Sequence, residues 1–393
     1  MLKKIAYTFL SKMWALVLTF LLILLTTHYL GKEGRGAISN WTAAINLLTQ
    51  IGLCFGGPAL VYFASRYNNQ HLLKNIFRYN IVVSILSVGI IYIFYQQLDL
   101  GIYIPIIAFI NVVFISFSML LTGHNRIGKV NVLNNICITL QVAIFAFICY
   151  TMQPTAIIYL LCFAAALFAT SIIGYLFLNN ERTTTLPNMV TQNSFVSKGV
   201  YSQMSNIFQL MNYRLSYFLI PFFLNESYLG IYSVAIALGE AIWLAGKSIA
   251  LINLGNVASG QIDKSSIKRS ILLSFTITGI CCLILYIIPN ETYIYVFGKQ
   301  FFEVKQQLIY LFPGIVLCSL QFVPAAYFAG KGDFKYNNIA AICGFVLTAL
   351  LNYIYIPQLG LQGAALAFDV ALAVSSIILL VSFYRKINIA YQK

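Results

Sequence analysis

The sequence predicts an all-α integral membrane protein, with about twelve transmembrane helices in two six-helix bundles related by a parallel internal repeat. Three observations carry this expectation: the composition, the rhythm of the apolar runs, and a self-match at a fixed shift. Of 393 residues, 60% are apolar and 9% are charged, where soluble domains have about 45–50% and 25%. Mean hydropathy is +0.84. A single core stops growing at roughly 250–300 residues and still needs a polar skin. Twelve spans of about 20 residues each would absorb about 240, close to the apolar total. That composition excludes a soluble enzyme, a disordered protein and a large extramembrane catalytic domain.

The chain opens with MLKK and an apolar run over 6–30. This run is longer than a signal-peptide core and has no small-x-small site behind it, so it is expected to be an uncleaved first span. Cutting at charges and at Gly, Pro and Asn clusters gives further spans at 37–65, 79–96, 103–123, 131–150 and 155–178. A second set lies at 199–224, 229–252, 270–288, 305–329, 336–356 and 361–384. Between the sets runs the one long polar stretch, 179–198. The expected organisation is therefore an N-terminal bundle over 1–178, a cytoplasmic linker over 179–198 and a C-terminal bundle over 199–393.

The net charge of +14 is not a nucleic-acid footprint, because the basic residues sit in short segments between apolar runs. On one side fall Lys3, Lys4, Lys12, Arg66, Lys74, Arg78, Arg126, Lys129 and Arg182, followed by Lys198, Lys264, Lys268, Arg269, Lys331, Lys335, Arg385, Lys386 and Lys393. The other side has Lys32, Arg35, Lys299 and Lys305. An 18:4 bias over short loops places both termini in the cytoplasm, which requires an even number of spans. The eight cysteines lie within apolar runs without CxxC spacing, so free thiols are expected. His28, His71 and His124 form no ligand cluster, and no GxxxxGK[ST], HExxH or GxSxG occurs. Neither a metal nor a cofactor is expected.

The two halves match at a shift of 194 residues, pairing Tyr7 with Tyr201, Ser11 with Ser205, Gly36 with Gly230, Ser39 with Ser233 and Lys74 with Lys268. Six spans per half is an even number, so both halves enter the membrane from the same side and the repeat is parallel. Carriers commonly use such paired bundles.

Three segments carry a family resemblance: HYLGKEGRGAIS at 28–39, NYRLSYFLIPFFLNESYLGIYSVAIAL at 212–238 and NYIYIPQLGLQGAALAFDV at 352–370. Together they resemble the polysaccharide-export branch of the multidrug/oligosaccharidyl-lipid/polysaccharide exporter superfamily, in particular the O-antigen and capsule repeat-unit flippases. The resemblance spans essentially the whole chain. It implies a V of two bundles around a central cavity. It also implies ion-coupled alternating access that moves an undecaprenyl-diphosphate-linked oligosaccharide to the periplasmic leaflet of a bacterial inner membrane. Polymerase and chain-length proteins would be its neighbours in lipopolysaccharide O-antigen assembly. Lipid II flippases are similar but usually carry two extra spans. A monomer is expected, because the repeat already builds both walls.

A charge at the bilayer centre costs at least about 2.5–3.5 kcal/mol, so embedded charges are the first candidates for function. Arg214 and Lys247 are expected to hold the diphosphate or an acidic sugar, against a purely structural pairing of Arg214 with Glu240 or Asp369. Glu240 and Asp369 are the candidates for coupling to H+ or Na+. Lys12 reads as an anchor near a helix end. Gly56-Gly57-Pro58, Pro221, Pro313 and Pro324 should kink or break helices, Gly52 and Gly56 form a close-packing pair, and Trp14, Trp41 and Trp243 fit interfacial belts. A multidrug/cation antiporter of the same superfamily is the second reading. A polytopic polymerase or glycosyltransferase is third, weakened by external loops of no more than about 15 residues.

Overall fold

In lipid, backbone N–H and C=O groups must be paired within the chain, so apolar runs of this length fold as helices. The computed structural model describes residues 2–55, 59–64, 69–96, 98–179, 192–258 and 264–390, and no strand occurs among them. The helices are α1 (Leu2–Gly52), α2 (Ala59–Ala64), α3 (Asn69–Tyr95), α4 (Leu98–Gly123), α5 (Ile127–Thr151), α6 (Ala156–Asn179) and α7 (Gln192–Phe223). They continue with α8 (Glu226–Ala258), α9 (Lys264–Ile287), α10 (Asn290–Phe297), α11 (Val304–Ser319), α12 (Phe322–Gly330), α13 (Lys335–Leu359) and α14 (Leu361–Ala390). Ten stretches among the described residues are long and apolar enough to cross a membrane. The protein is a multi-pass membrane protein.

Helix α1 has 51 residues, about 76 Å at 1.5 Å per residue, far more than the roughly 30 Å hydrocarbon core. It is two helices divided at Gly31, whose φ of 64° and ψ of −170° interrupt the helical path. A side chain is strained at that φ, and glycine is not. The two parts correspond to the first two expected spans. The second part stops at Gly52, followed by a 3-10 turn over Leu53–Phe55 and then α2. The expected Gly56-Gly57-Pro58 break and the Gly56 half of the Gly52 pair lie outside the described residues. Gly52 itself packs against the Asn80 side chain and Val112.

Other departures from the expected spans have local causes. The span expected over 305–329 is broken at Leu320 and Gln321 into α11 and α12. Pro324 cannot donate a backbone hydrogen bond, and its ring collides with the carbonyl four residues earlier, which is that of Leu320. By contrast Pro221 and Pro313 are carried inside α7 and α11. The stretch after α9 contains the short helix α10 and a 3-10 turn over Lys299–Phe301. Of the linker expected over 179–198, residues 180–191 lie outside the described residues, and Gln192 already opens α7. With 32 residues, α7 has more than the roughly 20 needed to cross, so its first turns can continue beyond hydrocarbon.

The helices group into two units, one comprising Met1–Leu30 and Asn40–Ile207, the other Gly31–Ser39 and Phe208–Lys393. The first unit is built around α4, whose Leu100, Ile104, Ile107, Ala108, Val112 and Phe117 are buried. α3 and α6 pack on α4, and α5 packs on α6. Phe145 meets Tyr159 edge-on at 5.3 Å. Asn111, at the middle of α4, donates to Thr49 at 3.2 Å, which satisfies a buried amide that would otherwise be costly.

In the second unit α13 and α14 form an antiparallel hairpin, with α14 on α11 and with α11 and α12 on α8. Gly31–Ser39 joins this unit through a reciprocal crossing. Gly36 lies against the Glu226 carbonyl, and Gly230 lies against the Lys32 carbonyl. Lys32 and Glu226, like Gly36 and Gly230, are separated by the 194-residue repeat. The matched positions found in the sequence are thus in mutual contact, each glycine admitting the other helix's backbone where any Cβ would overlap it.

Candidate functional site

Arg214 projects from α7 with its side chain 18% exposed. Its Nη2 lies 2.7 Å from Glu240 Oε1 and donates to Oε2 at 2.8 Å, an ion pair across to α8. Three residues further along α7, Tyr217 lies on the same helical face. The Arg214 guanidinium carbon sits 4.7 Å from the centre of the Tyr217 ring, and Nη1 donates to the Tyr217 hydroxyl at 3.1 Å. One aromatic residue therefore supplies both a π face and an acceptor. Tyr217 is itself buried and packs edge-on against the fully buried Tyr232 of α8, centroids 6.2 Å apart.

One turn beyond Glu240, Trp243 is 1% exposed. The expectation that it belongs to an interfacial belt is overturned. Its indole N–H donates to the Ile315 carbonyl of α11 at 2.9 Å, and its ring stacks on Phe368 of α14 and packs against Tyr213 of α7. With Phe322 of α12 edge-on at 5.9 Å, five helices meet at this side chain. Burial is tolerated because the one polar atom is satisfied. Trp41 is also buried, while Trp14 is half exposed.

Lys247 follows on α8, exposed, with its Nζ 5.4 Å from the Trp243 ring centre and 5.8 Å from that of Phe322 on α12. It has no acidic partner among the described residues. Asp369 of α14 is partly buried, and its Oδ1 accepts the Gly314 backbone N–H of α11 at 2.8 Å. No cation pairs with it among the described residues. Of the four residues singled out from the sequence, the structure brings Arg214 and Glu240 together and leaves Lys247 and Asp369 apart from them. Lys12 is exposed, as an anchor would be. No group of three His, Cys, Asp or Glu side chains suited to a metal occurs among the described residues.

A buried polar chain beside this pair is absent from the sequence-based candidates. Ser216 donates to Asn352 at 3.0 Å, Asn352 to the Thr348 carbonyl at 2.7 Å, and Thr348 to Asn212. All four residues, and Ser375 of α14 next to Asn212, are at most 2% exposed. Asn212/Ser216 and Thr348/Asn352 are each four apart. Polar residues at helical spacing within apolar spans were the available signal. The chain fixes the rotation of α7 against α13 and so fixes the side from which Arg214 emerges.

No protein-family model matches the chain, nor does any curated protein sequence at a level that signals relatedness. Solved structures do match. A multidrug resistance MATE-family transporter of the MOP superfamily, in its inward-facing conformation, aligns at a TM-score of 0.71 with 14% identity, covering 96% of each chain. Its outward-facing form aligns at 0.68 with 14% identity, over 98% of this chain and 96% of that one. The lipid II flippase MurJ, in an inward closed conformation, aligns at 0.75 with 12% identity, over 95% of this chain and 87% of MurJ. The fold is that of MOP-superfamily transporters.

Proposed function

We propose that the protein is a flippase that carries an undecaprenyl-diphosphate-linked oligosaccharide, a repeat unit of a surface polysaccharide, across a bacterial inner membrane by ion-coupled alternating access. The observation that carries this reading is Arg214: a permanently charged guanidinium inside a membrane helix, held in place by Tyr217. Such a group suits a diphosphate, which brings several anionic oxygens into a low-dielectric region. Lys247, exposed on two aromatic faces without an acidic partner among the described residues, is a second cation for the headgroup or an acidic sugar. Glu240 and Asp369 are the carboxylates for the coupling H+ or Na+. The likeness to a lipid II flippase supports a lipid-linked substrate.

In a host that depends on this protein for surface glycan, Arg214→Ala should abolish glycan display while the protein still accumulates in the membrane. Normal display by that variant rejects the reading. A multidrug/cation antiporter is the alternative, favoured by Asp369, a carboxylate that no cation pairs with among the described residues. Under that reading Asp369→Asn abolishes efflux-based resistance and Arg214→Ala leaves it intact.

A further inference from the structure

The Arg214–Glu240 pair is asymmetric in a way that bears on substrate choice. A guanidinium has five N–H donors. Both Glu240 oxygens sit on the single atom Nη2, and Nη1 gives one hydrogen to Tyr217. The Nε–H and the second Nη1–H have no partner among the described residues. Tyr217 also stacks on the guanidinium, so Arg214 is anchored independently of Glu240. Glu240 has the reverse character: its side chain is 31% exposed, against 18% for Arg214, and among the described residues Arg214 is all that its oxygens bond. The arginine is the fixed partner and the glutamate the movable one.

We infer that Glu240 is a built-in competitor for the anion site on Arg214, displaced only by a ligand with more than one negative charge, so that the pair selects a diphosphate over a monophosphate or a carboxylate. The inference rests on the flippase reading above. A tethered carboxylate acts at high effective concentration, and a monoanion merely exchanges one charge for another. A diphosphate first engages the open Nε–H and Nη1–H. It then outcompetes Glu240 with additional charge and acceptor oxygens. Exchange in this order never exposes a bare buried guanidinium, the state that makes breaking such pairs costly.

The test uses the full-length protein in lipid nanodiscs, titrated with farnesyl diphosphate and farnesyl monophosphate. Glu240→Gln should bind the diphosphate at least about tenfold more tightly than the unaltered protein and narrow its preference over the monophosphate, as loss of a close charge competitor requires. Glu240→Asp, which keeps the charge on a shorter arm, should tighten binding by an intermediate factor. It serves alone should Glu240→Gln fail to reach the membrane. Unchanged or weaker diphosphate binding, or an unchanged preference, overturns the inference and shows Glu240 to be a structural partner. Arg214→Gln separates the two levels: if it binds the diphosphate as well as the unaltered protein does, the flippase reading fails whatever Glu240 does.

Discussion

A guanidinium within a helix bundle needs its charge balanced, its donors occupied and its stem held, and at Arg214 these tasks fall to different residues. Glu240 balances the charge, while Tyr217 takes one donor and supports the plane. That division predicts graded losses. Tyr217→Phe keeps the ring and removes the acceptor, so farnesyl diphosphate binding should weaken by about 1 kcal/mol, roughly fivefold. Tyr217→Leu removes the ring as well and should cost a further 0.5–2 kcal/mol or so. Equal effects of the two substitutions would show that the ring contributes nothing. The four embedded charges were legible in the sequence because any charge in an apolar run is expensive. The partner of Arg214 was narrowed to Glu240 or Asp369 but not chosen between them, because the choice depends on the rotation of α7, and composition leaves that rotation open. Tyr217 was hidden among 26 tyrosines, and Trp243 carries its meaning only through the carbonyl it reaches.

At the scale of elements, what the sequence marked best were the places where backbones change course. Gly31 and Gly36 lie in the segment 28–39 singled out in the sequence, and the structure gives them different tasks: Gly31 kinks α1, and Gly36 admits the Glu226 carbonyl while Gly230 admits that of Lys32. Gly36→Ala and Gly230→Ala should each destabilise the detergent-solubilised protein by at least the 1–3 kcal/mol typical of overpacking, read as a lower Tm. Gly89→Ala, where a Cβ meets nothing within 4 Å, should leave Tm unchanged. If all three behave alike, the close crossing is not a constraint. The α11–α12 break fell where Pro324 marked it. Less legible was the α10 helix, which arises from local backbone chemistry.

For the whole molecule, crossing number and charge bias have to agree. Ten stretches qualify as spans by length and composition. Dividing α1 at Gly31 and adding α7 raises ten to twelve. Helix α7 falls short in hydropathy because of residues such as Gln203, Asn212 and Ser216, which are buried against protein and so never meet lipid. An even number returns the C-terminus to the side of the N-terminus. From the 18:4 bias of Lys and Arg we propose that this side is the cytoplasm, since basic residues in short loops resist translocation. Reporter fusions at Asn188 and at Lys393 should therefore both read cytoplasmic, and one at Glu291, at the start of α10, should read periplasmic. A periplasmic signal at Lys393 alone would mean an odd count in the second half, with α7 failing to cross. A periplasmic signal at Asn188 would break the parallel relation of the halves, because a first half with an odd number of crossings sends the second half in from the opposite face.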